Sequence, residues 1–278
     1  QALASQMVGR TVILKVDKEP AQPGEIVLRV KDLHVLDDRR IETIRGVSFD
    51  VRKGEILGIA GVQGNGQTEL AEALTGLRHA ETGEIDILED NVFNHSPRDL
   101  VEKGMGHIPE DRQKHGVVMQ YPVADNLILC SYYVSPYCHR GILQNEAIGS
   151  NADALIKRFD IRTPSAYVPT SKLSGGNQQK VIVARELSRD IKILVANQPT
   201  RGLDVGSIEY IHHEIVEMRD EGIGVVLISA ELDEIMALSD RIAVMYHGQI
   251  VDIIQADQVT REELGLMMAG SHKPEVLA

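Results

Sequence analysis

The sequence predicts an α/β fold built on a parallel sheet, and three observations lead to that prediction. Ile56–Ala60 and Ile191–Ala196 are short apolar runs, as strands buried on both faces require. Glycines follow the first run, and Leu70, Ala73, Leu74 and Leu77 then recur at helical spacing. Strands that alternate with helices around glycine-rich turns are typical of an α/β sheet.

The remaining elements follow from the same two periodicities. A helix is indicated by the apolar stripe Ile148, Ala152, Leu155, Ile156 and Phe159, within a stretch from about 120 to 172 that lacks clear strands. A second helix stripe is Ile208, Ile211, Ile215 and Met218, closed by Gly222. Further predicted strands are Ile26–Val30, Ile44–Val51, Val225–Ser229 and Ile242–Tyr246. Thr260 with Glu263 forms a capping box that opens a last helix.

Composition narrows the class of protein. The 278 residues are 43% hydrophobic and 25% charged, which is ordinary for a water-soluble globular chain. The net charge of −12 argues against a nucleic-acid partner. We find no apolar run of about 18 residues and no secretory leader, so we expect any membrane connection to run through a partner. Cys130 and Cys138 are expected to be reduced thiols.

A glycine-rich segment between the first buried strand and its helix has the spacing of a phosphate-binding loop. The pattern G-x-x-x-x-G-K-[ST] lets backbone N–H groups and a helix N-terminus converge on phosphate. Thr68 is placed to reach a magnesium ion, but Gln67 stands where the lysine is expected, so the outer phosphates lose a charged partner. This motif alone leaves a nucleotide loop and an empty glycine-rich turn equally open. The candidate nucleotide-binding residues here are Gly61, Val62, Gln63, Gly64, Asn65, Gly66, Gln67, Thr68 and Glu69.

A second motif decides between these two interpretations. Leu173-Ser174-Gly175-Gly176-Asn177-Gln178-Gln179-Lys180 opens a helix that bears Val181, Ala184 and Leu187. In this order after a phosphate loop, the string resembles the signature of the ATP-binding-cassette (ABC) ATPases. In that family, the hydroxyl and backbone donors at this helix start contact the γ-phosphate held by the opposing subunit.

The resemblance covers residues of about 27–272 and implies the ABC ATPase fold. That fold has a P-loop NTPase core sheet with helices, an antiparallel β subdomain and an α-helical signature subdomain, here about 120–172. LSGGNQQK together with Pro109–Arg112 is similar to the branch that imports simple sugars and nucleosides with two tandem cassettes. Residues 3–9 echo 264–270, with three of seven pairs identical. We therefore expect a preceding cassette to end at 1–10, a linker at 11–26, this cassette at 27–272 and a tail at 273–278.

The resemblance also exposes departures from the family pattern, so we expect no intact catalytic residue. Asn197 and Gln198 replace the aspartate that supports magnesium and the glutamate that polarises water, and Ala230 replaces the switch histidine. Glu110 stands where the family has glutamine, and Leu33–Leu36 holds no aromatic residue to stack on adenine. Loss of a general base typically costs 10²–10⁴-fold, so hydrolysis in this pocket is expected to be slow. Thr68 and Asn197 would hold Mg²⁺ weakly at best. Gln198 alone could be an engineered trap, but coincident changes favour a naturally degenerate pocket.

The resemblance implies an asymmetric mechanism. This chain would lend Ser174, Gly175, Gly176, Asn177 and the D-loop residue Asp204 to an active ATP site on a partner cassette, within a transporter that hydrolyses ATP. The expected partners are a first cassette of the same polypeptide or a homologous one, transmembrane permease subunits at the cytoplasmic face of the plasma membrane and, indirectly, a substrate-binding protein. Met119–Asn126 is expected to touch the permease.

Other classes and features were weighed beside this interpretation. DNA-maintenance ATPases share the signature but insert coiled coils, and translation-associated cassettes have two competent pockets; neither pattern appears here. A regulatory domain without nucleotide stays open. We expect His212-His213 to be a solvated pair and not a metal site. Tyr132, Tyr133 and Tyr137 are expected to pack internally, and Glu231, Asp233 and Glu234 to form an acidic helix start.

Overall fold

The computed structural model describes residues 18–270, and these residues divide into two compact units. The nucleotide-loop unit comprises the described residues 18–107, 192–198 and 214–270, and the signature unit comprises 108–191 and 199–213. The predicted tail at 1–10, the first part of the predicted linker and the tail at 273–278 lie outside the described residues.

The described residues form strands and helices with the following bounds. The strands are β1 (Ile26–Leu36), β2 (Glu42–Arg52), β3 (Ile56–Ala60), β4 (Thr82–Ile87), β5 (Asp90–Asn91), β6 (Met105–Ile108), β7 (Cys138–His139), β8 (Ile142–Leu143), β9 (Ile193–Asn197), β10 (Gly224–Ser229), β11 (Arg241–Tyr246) and β12 (Gln249–Gln255). The helices are α1 (Gln67–Leu74), α2 (Pro97–Glu102), α3 (Val123–Leu127), α4 (Asn145–Arg158), α5 (Gly175–Leu187), α6 (Val205–Asp220), α7 (Leu232–Leu238) and α8 (Arg261–Met268).

The nucleotide-loop unit contains the two predicted kinds of sheet. The larger has the order β12-β11-β3-β10-β9-β6, in which β3 pairs in parallel with both β10 and β11. Every residue of β3, β9 and β10 is buried, which explains why these strands appear in the sequence as unbroken apolar runs. The smaller sheet is antiparallel, with the order β2-β1-β4-β5. The α/β fold class predicted from the sequence is confirmed.

A hydrophobic core lies between the two sheets of this unit. It joins the inward faces of both sheets to α1, through residues such as Leu33, Phe49, Leu70 and Val226. Leu77 was predicted on the same helix stripe, but α1 ends at Leu74 and Leu77 is 43% exposed. The predicted capping box of Thr260 with Glu263 is present at the start of α8.

The signature unit is built on α3, α4 and α5 with irregular segments between them. Asn126, fully buried, holds the preceding segment because its amide donates to the Thr170 hydroxyl at 2.9 Å and accepts from the Val118 N–H at 2.7 Å. The short hairpin β7–β8 lies in the stretch for which we expected no clear strand. Tyr132 is 43% exposed and meets Tyr133 edge-to-face, so internal packing was wrong for Tyr132.

The structure also describes the cysteines, the histidine pair and the acidic helix start that the sequence singled out. Cys130 and Cys138 are free thiols, as predicted. His212 is buried in α6, so the prediction of a solvated histidine pair was wrong for that residue, whereas His213 is exposed. Among residues 18–270, no group of three or more His, Cys, Asp or Glu side chains is arranged to hold a metal ion. Glu231 is the N-cap of α7, and Asp233 and Glu234 lie in its first turn, as predicted.

Candidate functional site

Parallel pairing brings the predicted pocket residues of the nucleotide-loop unit to one edge of its sheet. Ser229 is paired with Ala60, and Ile228 is paired with Asn197. The loops that leave β3, β9 and β10 therefore start side by side, at the carboxyl ends of the strands. Open α/β sheets bind their ligands at this edge.

The phosphate loop has the backbone that its glycines predict. Gly64 and Gly66 have φ of 92° and 106°, in the left-handed region that other residues rarely adopt. A Cβ on Gly66 would lie 2.8 Å from both the Thr43 carbonyl oxygen and Ile44 Cδ1, so this position accepts only glycine. The α1 helix begins directly after it, and no side chain caps its first N–H groups. Backbone N–H groups at a helix N-terminus are well placed to bind phosphate.

Gln67 folds into this loop instead of pointing out of it. Its side chain amide donates to the Val62 carbonyl at 3.1 Å, and its Oε1 accepts from the Asn65 N–H at 3.1 Å. The residue is only 7% exposed, and its Nε2 lies 2.5 Å from the position that a Cβ on Gly61 would take. A lysine could make the first of these bonds but not the second, because an ammonium group has no acceptor. The glutamine thus satisfies the loop internally and brings no charge.

Asn65 ties the loop to the turn between β11 and β12. Its Oδ1 accepts from the His247 N–H at 3.2 Å, and its carbonyl accepts from the Gly248 N–H at 3.0 Å. The Asn65 side chain therefore has a structural partner in His247, far away along the chain, which the sequence did not reveal. Gln63 is exposed on the same loop, and Thr68, also exposed, lies with Glu69 in the first turn of α1.

Two amide side chains lie at the end of the strand beside the loop. Asn197 is 5% exposed at the end of β9, and Gln198 follows with φ of 48°, held by its N–H bond to the Ile228 carbonyl at 2.8 Å. Ala230 follows β10 with no polar side chain atom. The backbone of the loop fits a phosphate chain, whereas Thr68 and Asn197 offer magnesium only neutral oxygens. We therefore route no catalytic step through a metal in this pocket.

The strand where adenine would stack has other partners. His34, in β1, contacts Glu42 through Nδ1 at 2.6 Å and Asp32 through Nε2 at 3.2 Å. The hydrogen bond to Glu42, followed in size by opposing desolvation and by the bond to Asp32, leaves the pKa of His34 raised. This ring is committed to two carboxylates.

In the signature unit, Ser174 is the N-cap of α5. Its hydroxyl oxygen accepts from the Asn177 N–H at 3.4 Å and from the Asn177 side chain amide at 2.9 Å. Asn177 Oδ1 in turn accepts from the Arg162 N–H at 2.7 Å, which fixes the start of the helix. Ser174 is exposed, and because both contacts use its oxygen as acceptor, its hydroxyl proton takes part in neither.

The D-loop packs directly on this signature. A Cβ on Gly176 would lie 2.3 Å from Ser207 Oγ, so glycine allows close contact with the start of α6. Asp204 accepts from the Ser207 N–H at 3.0 Å and from its hydroxyl at 2.8 Å, as a helix N-cap does. Although partial desolvation opposes it, these hydrogen bonds hold the pKa of the Asp204 carboxyl below its ordinary value. Its contact with a partner cassette stays a prediction.

Glu110, expected at the position of a family glutamine, is engaged within the signature unit. Its carboxylate forms an ion pair with Arg201, the first residue of the D-loop segment Arg201–Asp204. Arg112 donates to the Arg201 carbonyl at 3.1 Å. Neither arginine was assigned a role from the sequence, where Arg112 appeared only as the last residue of the motif Pro109–Arg112.

These features define a nucleotide-binding cassette: a phosphate loop at the carboxyl edge of a parallel sheet, an antiparallel sheet and a helix opened by LSGG. The chain belongs to the ABC transporter family, whose model matches residues 44–201. Membership implies ATP with Mg²⁺ as the family's ligand.

Individual relatives agree with this assignment. The chain is 50% identical over 98% of its length to the guanosine import ATP-binding protein NupO of Bacillus subtilis, and 47% identical over 98% to the nucleoside import ATP-binding protein NupA of Lactococcus lactis. It spans 54% of the length of each. A crystal structure of a nucleotide-free ATP-binding cassette from an ABC transporter has the same fold, with a TM-score of 0.72 at 23% identity, covering 91% of this chain and 98% of that one.

Within residues 18–270, no helix is both long enough and apolar enough to cross a bilayer.

Proposed function

We propose that this chain is the second nucleotide-binding cassette of an ABC importer for nucleosides or simple sugars. Two observations support the tandem arrangement: the chain spans about half of relatives that match almost all of it, and residues 3–9 echo 264–270. Nucleosides are favoured as the cargo because the two relatives are named for guanosine and nucleoside import.

The chain's own pocket binds ATP weakly or holds it without turnover. Gln67 places a neutral amide inside the loop. A hydrogen bond from a charged group to phosphate is worth roughly 1.5–3 kcal/mol, whereas one from a neutral group is worth about 1 kcal/mol. Asn197 and Gln198 offer neither a negative charge nor a base, and Ala230 offers no donor. General-base assistance is typically worth 10²–10⁴-fold, so hydrolysis here is slower by at least that factor.

The cassette contributes to ATP hydrolysis through its signature motif, which completes the ATP site of the partner cassette. The observation that carries this proposal is the start of α5, where Ser174 is exposed and its hydroxyl acts only as an acceptor toward the other described residues. Gly175, which is half-buried, and Gly176, which is buried, follow it as the first two residues of the helix, where backbone N–H groups are suited to bind phosphate. Donors that serve a neighbour's phosphate are thus retained, while the groups that would act on this chain's own nucleotide are replaced.

The transporter also needs permease subunits and a substrate-binding protein, and the cassette lies at the cytoplasmic face of the membrane. Contact with the permease involves the segment Met119–Asn126. Tyr121 is 50% exposed on this segment, and its neighbour Val118 is 40% exposed. The side chain of buried Asn126 donates to the Thr170 hydroxyl, and this hydrogen bond fixes the segment that carries the exposed apolar side chains.

The proposal is tested in the polypeptide that carries both cassettes, assembled with its permease. Ser174→Arg places a bulky cation at the exposed helix start, and we expect it to lower ATP hydrolysis at the other cassette's site by a hundredfold or more. Ser171→Arg is the matched control, because Ser171 is also exposed in the signature unit. Equal turnover in the two variants would show that the signature does not serve the partner site.

A regulatory cassette that binds no nucleotide is the second candidate. It is favoured by the Gln67 side chain, which satisfies the Asn65 N–H from within the loop. Calorimetric titration of the chain with ATP separates the two candidates, since weak binding that Gln67→Lys improves supports the importer role, and no binding by either form supports the regulatory one.

A further inference from the structure

Arg112 lies against the signature motif with most of its hydrogen-bonding capacity unused. Its Nη1 donates to the Arg201 carbonyl at 3.1 Å, but its Nε is buried and has no hydrogen-bond partner among residues 18–270. Its Nη2 lies 2.9 Å from the position that a Cβ on Gly175 would take, so the guanidinium sits at the start of α5. A guanidinium carries five N–H donors, and a buried donor left unpaired needs an explanation.

Arg112 also forms no ion pair within the part of the chain that the structure describes. The nearby carboxylates have other partners: Glu110 pairs with Arg201, Asp204 accepts from Ser207, and Asp111 accepts from the N–H groups of Gln113 and Lys114. The N-terminus of α5 itself carries roughly half a positive charge. A cation beside a positive helix end is repelled by it, and an anion bound between them would remove that cost.

We propose that Arg112 is a charged phosphate-binding group of the signature site. Its guanidinium would contact the terminal phosphate of the nucleoside triphosphate that the partner cassette presents, together with Ser174 and the backbone donors of Gly175 and Gly176. The planar guanidinium matches the oxygens of a phosphate with two parallel N–H donors and a positive charge. Its hydrogen bonds to phosphate are therefore stronger than those of a neutral serine hydroxyl or backbone amide. This inference rests on the proposed function, because the phosphate comes from the partner cassette.

Glu110 and Arg201 act on this group as positioning residues. The Glu110 carboxylate holds Arg201, and the carbonyl of Arg201 accepts from Arg112 Nη1. The chain of contacts links the segment before the signature to the D-loop, which packs on Gly176 through Ser207. The two surfaces offered to the partner are therefore braced together within one unit.

The test is steady-state ATP hydrolysis by the assembled two-cassette transporter, with Arg112→Gln in this chain. Loss of a charged hydrogen bond predicts a kcat/KM for ATP that is lower by about ten- to hundredfold. Arg140→Gln is the matched control, because Arg140 is exposed in the same unit and the change removes the same charge. Arg112→Lys should recover part of the loss, since it keeps the charge but not the fork.

Two further readouts separate phosphate binding from a purely structural role. Arg112→Gln should leave ADP affinity and the melting temperature close to those of the Arg140→Gln control, and it should weaken the dependence of kcat/KM on salt. If Ser174→Arg abolishes turnover while Arg112→Gln behaves like Arg140→Gln, the role of Arg112 is refuted and the proposed function stands. If Ser174→Arg is itself without effect, the proposed function fails.

Discussion

Replacing Gln67 by lysine should produce opposite effects on the empty and the nucleotide-bound chain. Without nucleotide, the lysine can still donate to the Val62 carbonyl but cannot accept from the Asn65 N–H, whose bond to Gln67 measures 3.1 Å. The Asn65 N–H then keeps only its bond to the Val62 carbonyl at 3.2 Å, and losing one hydrogen bond costs about 1–1.5 kcal/mol. For a chain of this size, that lowers the melting temperature by about 2–6 °C.

With ATP, the same lysine should bind more tightly, because a charged hydrogen bond to the outer phosphates replaces a neutral one. The difference is about 1.4 kcal/mol, or tenfold in Kd. Stabilisation by ligand grows as RT ln(1 + [L]/Kd), so near-saturating ATP should recover about 1.4 kcal/mol of the loss. The melting curves of Gln67→Lys and the unmodified chain should therefore lie well apart without ATP and approach each other as ATP rises.

The assay is thermal unfolding over a series of ATP concentrations, supported by calorimetric titration. Gln63→Lys is the matched control, since Gln63 is exposed on the same loop and the change adds the same charge without entering the loop. If Gln67→Lys binds ATP no more tightly than Gln63→Lys, a charge inside the loop does not limit affinity. If the empty Gln67→Lys chain is as stable as the original, the Gln67–Asn65 bond contributes nothing, and that part of the reasoning is refuted.

Two other predictions concern the frame of the site. Gly66→Ala should destabilise the chain by about 2 kcal/mol or more, because φ is 106° and the new methyl group would meet backbone at 2.8 Å. Gly64→Ala, with φ of 92° but open space around it, should cost about 1 kcal/mol. Urea unfolding compares the two variants, and equal losses of stability would show that the close contact at Gly66 is unimportant. Because the folded-state pKa of Asp204 is depressed, its stabilisation should be present above its ordinary value of 3.8 and disappear as pH falls through the lower folded value, so melting curves of Asp204→Asn should be less acid-sensitive than those of the original chain, and identical acid profiles would count against the capping role.

Much of the architecture was predictable because its signals are local. The strands β3, β9 and β10 are apolar along their whole length, and the glycines of the phosphate loop are demanded by backbone geometry within eight residues. The LSGG motif likewise places its serine at a helix start that the following apolar spacing predicts, and Ser174 is the N-cap of α5. Strand β4 has two buried residues and strand β12 has none, so their apolar patterns are weak and neither strand was predicted from periodicity.

The sequence by itself determined the class of fold and the motifs that identify the family, since these depend on residue identity at fixed spacing, whereas a pocket that lacks charged groups stays a prediction. Only the tertiary structure decided what the remaining polar groups do. Glu110 meets Arg201 across 91 positions, and Arg112 reaches the Arg201 carbonyl across 89, distances along the chain at which periodicity carries no information. Gln67 is two residues from Asn65, yet whether an amide points out of a loop or closes it depends on the space that the surrounding backbone leaves, which is a property of the folded chain.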